Sequence, residues 1–314
     1  MKLIMGTRGS ALALAQARQT ARQIEAAHEG LIVEERVIRT TGDVRSAAPL
    51  PEIGGKGVFT LEIEAALLDG STDFAIHSLK DLPPEMPEGL TLGAVPVRED
   101  ASDCCVLRVA PAERHAETLS FLPQGAHVGT SSLRRRAQLL HLRPDLRVSD
   151  VRGNVDTRLR KLEEGQYDAL LLATAGLNRL STDRGTSLVA VERVFRLDET
   201  QFLPAPGQGA LAVQCRANDE ATLRLLSAVD DYETRAQIEA ERAVVRALNA
   251  GCTTPLGARA YSAGGLLTMS ARVLTLDGQN SVSAEAYGTV EDAEFVGEEC
   301  AAQLQELGVE EMLK

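Results

Sequence analysis

The feature that most constrains this chain is an alternation, sustained from residue 2 to residue 173, of short apolar segments with segments of helical period. Residues 2–6, 31–40, 73–78 and 90–97 read as strands, with helical stretches at 11–27 and 59–68 and Ser10 at the N-cap of the first. A polar run at 97–102 breaks the pattern, and a second set then begins. Its strands are 104–109, 127–129, 146–149 and 169–173, with helices from Leu133 and over 156–164. Such alternation predicts parallel or mixed sheets of the α/β class. The turn-rich segment 203–210 leads into a further strand, 211–215, so the chain is expected to cross between two α/β lobes more than once. A ligand cleft then lies between the lobes, where strand C-termini and helix N-termini converge. From about residue 230 the pattern changes to a long helix (233–249), three β segments (256–261, 266–276, 281–287) and a last helix (291–307). This predicts a smaller α+β domain. No internal sequence repeat is visible.

Charge narrows the function. The 314 residues carry a formal charge of −12, aromatics make up 3%, and Trp is absent. A polyanion is repelled overall and no stacking platform is available, which argues against nucleic acid. No run of eighteen apolar residues occurs, and no apolar core of signal-peptide length follows Met1. The chain is therefore expected to be cytoplasmic. Arg outnumbers Lys 28 to 5, and eight arginines fall between Ser131 and Arg160. That stretch is +5 and the remainder −17. A local cationic patch of planar guanidinium groups suits a small polycarboxylate.

Four local strings bear on chemistry. Gly129-Thr130-Ser131-Ser132-Leu133-Arg134-Arg135-Arg136 places hydroxyls and unpaired amides at a helix start, which is an anion site or a solvated arginine face. Arginines in a first helical turn oppose the helix dipole, so a negative group is expected to compensate them. Arg152 and Arg158 follow, with Gly153 permitting close backbone approach. Ile53-Gly54-Gly55-Lys56-Gly57 lacks phosphate-loop spacing and reads as a Gly-rich lid bearing one cation. His77-Ser78-Leu79-Lys80-Asp81 puts Lys80 and Asp81 at a strand C-terminus, where Asp81 either caps a turn or steadies a cationic intermediate. Among the five cysteines, Cys104, Cys105, Cys215 and Cys300 sit in apolar runs and read as buried hydrophobes. Cys252, in a loop, is the candidate nucleophile or attachment point, without a histidine nearby to activate it. The five histidines have no metal-ligand spacing, so no metal is expected.

Taken in order, these strings resemble the porphobilinogen deaminase (hydroxymethylbilane synthase) family nearly end to end. The resemblance rests on Thr7-Arg8-Gly9-Ser10-Ala11-Leu12-Ala13-Leu14, Gly54-Gly55-Lys56-Gly57, His77-Ser78-Leu79-Lys80-Asp81, Gly129 to Arg135, Arg152-Gly153-Asn154, Leu203 to Ala210 and Gly251-Cys252. It implies a transferase that condenses four porphobilinogen molecules head to tail with loss of ammonia, then releases hydroxymethylbilane by hydrolysis. It also implies a dipyrromethane cofactor thioether-linked to Cys252, where an accessible thiol needs no catalytic partner. Asp81 matches the catalytic carboxylate, assisting ammonia loss, stabilising the azafulvene-like cation and helping remove the α-proton. Arg8, Arg134, Arg135, Arg152, Arg158 and Arg179 match positions that bind acetate and propionate groups. Ser10, Lys56, Lys80, Thr130 and Ser132 add hydrogen bonds, and Asp43 matches a further pocket position.

The implied fold is two periplasmic-binding-protein-like lobes plus a smaller C-terminal α+β domain bearing the cysteine. Residues 1–98 and 203–227 form lobe 1, 103–200 form lobe 2, and 230–314 form the third domain. The implied protein is a monomer whose small-molecule substrate is porphobilinogen, with no nucleic-acid or membrane partner. Ala250, Asp231-Tyr232 and Leu61 depart from the family pattern without removing a matched contact, and the stretch from Ala110 to Gly125 is longer than the pattern. A non-enzymatic receptor for small polycarboxylates is the rival reading. A cysteine amidotransferase is a second rival, but it lacks its histidine.

Overall fold

A computed structural model describes residues 1–44, 60–111, 119–251 and 253–312, with the side chains of Asp43 and Val44 outside that description. The elements of the first lobe are β1 (Lys2–Thr7), α1 (Ala11–Ala27), β2 (Ile32–Val37), α2 (Thr41–Val44), α3 (Leu61–Leu68), β3 (Phe74–Ser78) and β4 (Leu90–Ala94). Helix α1 starts where Ser10 accepts a bond from the Ala13 amide at 3.3 Å. Its Ala17, Ala21 and Ile24, three to four residues apart, are buried against Met5, Phe74 and Val213 of the sheet.

The second lobe holds β5 (Asp103–Leu107), β6 (His127–Gly129), α4 (Leu133–Leu142), β7 (Arg147–Ser149), α5 (Val155–Glu163), β8 (Ala169–Ala173), α6 (Thr174–Arg184) and β9 (Val194–Arg196). The chain then returns through β10 (Leu211–Arg216) and α7 (Glu220–Leu226). The two sheets have one plan. In the first, ordered β2-β1-β3-β10-β4, β1 runs parallel to β2 and β3, and β10 is antiparallel to both neighbours. In the second, ordered β7-β6-β8-β5-β9, β6 runs parallel to β7 and β8, and β5 is antiparallel to both neighbours. The sequence shows no repeat because only the topology is duplicated. Each antiparallel strand follows directly on a crossing from the other lobe, which joins the lobes at 95–102 and again at 197–210.

The second crossing is shaped by two glycines. Gly207 (φ +75°) and Gly209 (φ +87°) adopt the left-handed backbone, and a side chain at Gly209 would run into the Glu99 carbonyl of the first crossing. Both crossings pack on the third unit: α8 (Tyr232–Ala247), the antiparallel sheet β11 (Leu256–Ala263), β12 (Leu266–Leu274) and β13 (Ser281–Thr289), α9 (Ala293–Glu306) and α10 (Val309–Met312). Arg98 bonds the Gln208 carbonyl at 2.9 Å and Glu241 of α8. Among the described residues, no helix is long and apolar enough to cross a membrane.

Sequence periodicity locates most of these elements. It misses α2, α6, β9, α7 and α10. The sequence Thr174–Arg184 carries polar residues on most faces, and β9 is only three residues long, so neither shows a clear period.

Candidate active site

Most of the expected site residues follow the C-terminal ends of parallel strands on both lobes, in loops or on the helices that come next. Arg8 and Ser10 follow β1; Lys80 and Asp81 follow β3. Thr130, Ser132, Arg134 and Arg135 follow β6, Arg152 and Arg158 follow β7, and Arg179 lies on α6 after β8. In lobe 1, Arg8, Ser10, Gln16, His77, Ser78 and Asp81 line one small cavity of about 80 Å³. A larger cavity of about 610 Å³, between the first crossing and α8, contains none of the expected site residues. Lys56 and Cys252 lie outside the described residues, as does the Asp43 side chain, although the Asp43 backbone belongs to α2.

The arginines are held more tightly than their sequence positions indicate. Arg134 and Arg135 are 5% and 6% exposed, and both grip one carboxylate, that of fully buried Asp103 on β5. Arg134 Nη1 donates to Oδ2 at 2.6 Å, while Arg135 approaches Oδ1 through Nε at 2.9 Å and Nη2 at 2.7 Å. Arg134 also donates to the Leu203 carbonyl, and Arg135 to the Leu171 carbonyl. Sequence reasoning expects a negative group against this helix start and looks for it in a ligand. Part of that charge is internal. Asp103 is hard to see because it opens an apolar strand, where periodicity assigns it no role. Its two guanidinium partners hold its carboxyl well below the usual carboxylate range against the penalty of burial.

Gln208 ties this cluster to the other lobe. Its Nε2 donates to Asp103 Oδ1 at 2.9 Å and to the Ala101 carbonyl at 2.7 Å, and its Oε1 accepts from Lys80 Nζ at 3.3 Å. Lys80 and Asp81 both reach solvent, and Asp81 lines the small lobe 1 cavity. Desolvation by the surrounding protein pulls the Lys80 ammonium down to about 8, with the Arg135 charge acting in the same direction and Asp81 and Asp103 opposing it. Burial likewise lowers Arg158 and Arg179 to about 10; Arg135 and Arg152 add to the effect on Arg158.

Thr130 accepts from the Ser132 amide at 3.2 Å, and Ser132 caps α4 by accepting from the Arg135 amide at 3.4 Å. Arg158 donates to the Gly153 carbonyl at 2.8 Å, and Arg152 stands 3.4 Å from Asp150. Gly153 has φ +110°, and a Cβ there would strike Thr157, so the turn into α5 itself requires glycine. Arg179 donates to the Gly209 carbonyl at 2.8 Å across the lobe junction. The Nε atoms of Arg134 and Arg179 are buried and find no hydrogen-bond partner among the described residues. Buried cationic donors left over after every internal bond are the chemistry that a set of acetate and propionate groups would satisfy.

The N-terminal and C-terminal regions match two family models. Residues 3–224 match the porphobilinogen deaminase dipyrromethane cofactor-binding domain, and residues 236–306 match the porphobilinogen deaminase C-terminal domain. The chain belongs to the porphobilinogen deaminase family. It is 46% identical over 313 residues to the porphobilinogen deaminase of Desulforudis audaxviator, covering 99% of this chain and 97% of the relative. It is 43% identical over 311 residues to that of Syntrophobacter fumaroxidans, covering 99% and 96%. Solved structures with a similar outline include the methionine-binding protein MetQ, at 14% identity and a TM-score of 0.42 over 74% of this chain and 92% of that one. That likeness is too remote to carry an argument. As a member of this family the chain is a transferase of tetrapyrrole biosynthesis with a dipyrromethane cofactor domain. The cationic donors described above fit that cofactor's carboxylates.

Proposed function

We propose that this porphobilinogen deaminase anchors its dipyrromethane on Cys252 and condenses porphobilinogen at Asp81, with the arginines of both lobes holding the carboxylate side chains. The observation that carries this reading is convergence across the lobes: Lys80, beside Asp81 on one turn of lobe 1, shares the Gln208 Oε1 with Arg135 of lobe 2, and Asp81 itself lines a cavity with Arg8 and Ser10. Bound dipyrromethane would supply the free pyrrole α-carbon that accepts the first unit, each later unit adding to the end of the growing chain. The protein's own groups do the rest. Arg134, Arg135, Arg152, Arg158 and Arg179, with Lys80, Ser132 and Thr130, bind acetate and propionate from the lobe junction, and Lys56 adds a further hydrogen bond. Arg8, Ser10 and Asp43 act on the lobe 1 side.

The Asp81 carboxylate stabilises the positive charge left on porphobilinogen as its aminomethyl C–N bond breaks and ammonia departs. Once the new carbon–carbon bond has formed, it assists loss of the α-proton. Negative charge beside a developing cation in a crowded, cation-rich cleft is worth far more than in water. The other four cysteines support Cys252 as the anchor by elimination. Each is buried. Burial pushes the thiols of Cys104 and Cys300 up to about 12 and that of Cys215 to about 11, and raises Cys105 as well, which makes them poor nucleophiles.

The chain is read as a cytoplasmic monomer without a nucleic-acid partner, divided into lobe 1 (1–98 and 203–227), lobe 2 (103–200) and a cofactor-bearing third domain (230–314). The role of Asp81 is tested by Asp81→Asn. The variant is expected to fold and to retain its cofactor mass, while turnover of porphobilinogen falls by on the order of a hundredfold or more. Turnover at the wild-type rate contradicts the role.

A further inference from the structure

Asp103 lies outside every role assigned so far. It opens β5, is inaccessible to solvent, and takes side-chain hydrogen bonds from both guanidinium groups and from Gln208. Its two oxygens are divided between the arginines: Oδ2 serves Arg134, and Oδ1 serves Arg135 and the Gln208 amide. That division fixes the carboxamide. Because Gln208 Nε2 is committed to Asp103 and the Ala101 carbonyl, Oε1 is the atom left to face the cations, and it accepts from Lys80 at 3.3 Å and from Arg135 Nη2 at 3.5 Å.

We infer that Asp103 is a positioning residue whose buried carboxylate sets the orientation of Arg134 and Arg135 and, through Gln208, anchors the Lys80 ammonium across the lobe junction. The physical argument is one of charge crowding. Lys80 Nζ and Arg135 Nη2 of α4 meet on the same Gln208 oxygen, Arg134 shares Asp103 with Arg135, Asp81 is next to Lys80 on its own turn, and Asp103 accepts from the Gln208 amide. Three cations placed together without Asp103 repel, and a lysine relieves such repulsion by losing its proton, whereas arginine does not. Asp103 therefore keeps this wall of the cleft both ordered and fully charged. The inference rests on the proposed function only in taking this wall to be where carboxylates bind.

The chain has five lysines, so the titration of Lys80 can be read directly. Purified enzyme is reductively methylated with ¹³C-formaldehyde, the dimethyl-lysine resonances are followed by NMR against pH, and Lys80→Arg assigns the Lys80 signal. In Asp103→Asn the Lys80 midpoint is expected to fall, with a proton affinity roughly threefold or more below wild type. The alkaline limb of kcat/KM is expected to move down with it. An unshifted Lys80 midpoint in folded Asp103→Asn overturns the inference.

If Asp103→Asn does not fold, Asp103→Asn with Arg134→Met removes one cation together with the anion. A smaller downward shift is then expected, and an unchanged or raised midpoint overturns the inference. A Lys80 midpoint that falls while the kcat/KM profile stays put upholds the positioning role and instead contradicts the carboxylate-binding role given to Lys80.

Discussion

The guanidinium of Arg98 and the carboxylate of Glu241 meet face to face, Nη1 at 2.6 Å from Oε1 and Nη2 at 3.0 Å from Oε2, almost entirely removed from solvent. The pair joins the first crossing between the lobes to α8 of the third domain. Glu241 also accepts from the Gly207 amide of the second crossing at 2.6 Å and from the Ala260 amide of β11 at 2.9 Å. One buried carboxylate thus fixes both interlobe crossings to the domain that follows them.

Breaking a buried pair by removing one partner leaves the other charge stranded. Arg98→Ala is expected to cost about 3–5 kcal/mol of unfolding free energy, measured by urea denaturation. Arg259 Nη1 pairs with Glu241 at 3.8 Å, which is too long for the hydrogen bonds that Arg98 makes. Arg98→Met with Glu241→Gln removes both charges while keeping a side-chain oxygen acceptor for the Gly207 and Ala260 amides, and is expected to cost less than Arg98→Ala alone. Equal or greater loss in the double variant contradicts this account of the pair.

Arg134 is expected to matter for stability as well as for binding. Its side chain bonds Asp103 and the Leu203 carbonyl, and truncation leaves Asp103 with Arg135 as its one cationic partner. Arg134→Ala is expected to lose about 3 kcal/mol in urea denaturation along with cofactor content. The sequence alone, which does not reveal Asp103, points to a loss of cofactor assembly or early addition greater than any loss of stability. A folded variant with wild-type stability returns the account to that simpler view.

His77 gives the acid limb of stability. Burial, with a smaller contribution from the Arg8 charge, pushes its imidazole down from 6.5 to about 4. Above pH 6.5 the ring is neutral in both folded and unfolded chains. Between about 6.5 and 4 the unfolded chain takes up the proton and the folded chain does not, so stability falls as pH falls, by up to on the order of 3 kcal/mol from this residue. In urea denaturation at pH 7.5 and pH 4.5, His77→Gln is expected to lose less stability between the two pH values than wild type. An identical loss contradicts the assignment.

Much of the fold is legible in the sequence because its signals are local. Ser10, the alanine face of α1 and the runs at 73–78 and 169–173 need no tertiary information to be recognised. Lys80, Asp81, Thr130 and the arginines stand out as candidates for a second reason: residues that follow the C-termini of parallel strands gather at one edge of the sheet. What is not legible depends on contacts between distant segments. Asp103 meets Arg134 and Arg135 some thirty positions away, and Gln208 meets Lys80 more than a hundred positions away. Neither has a period or motif that announces its partner. The pairing of Arg98 with Glu241 and the duplicated sheet plan are hidden for the same reason.

The central claim, a dipyrromethane anchored on Cys252 within this cleft, is tested most directly by intact-protein mass spectrometry of the wild type beside Cys252→Ser. The account predicts a mass excess of two linked pyrrole units on the wild type, absent from the variant. A wild-type chain that stays unmodified after incubation with porphobilinogen, or a Cys252→Ser chain that still carries the excess, contradicts it.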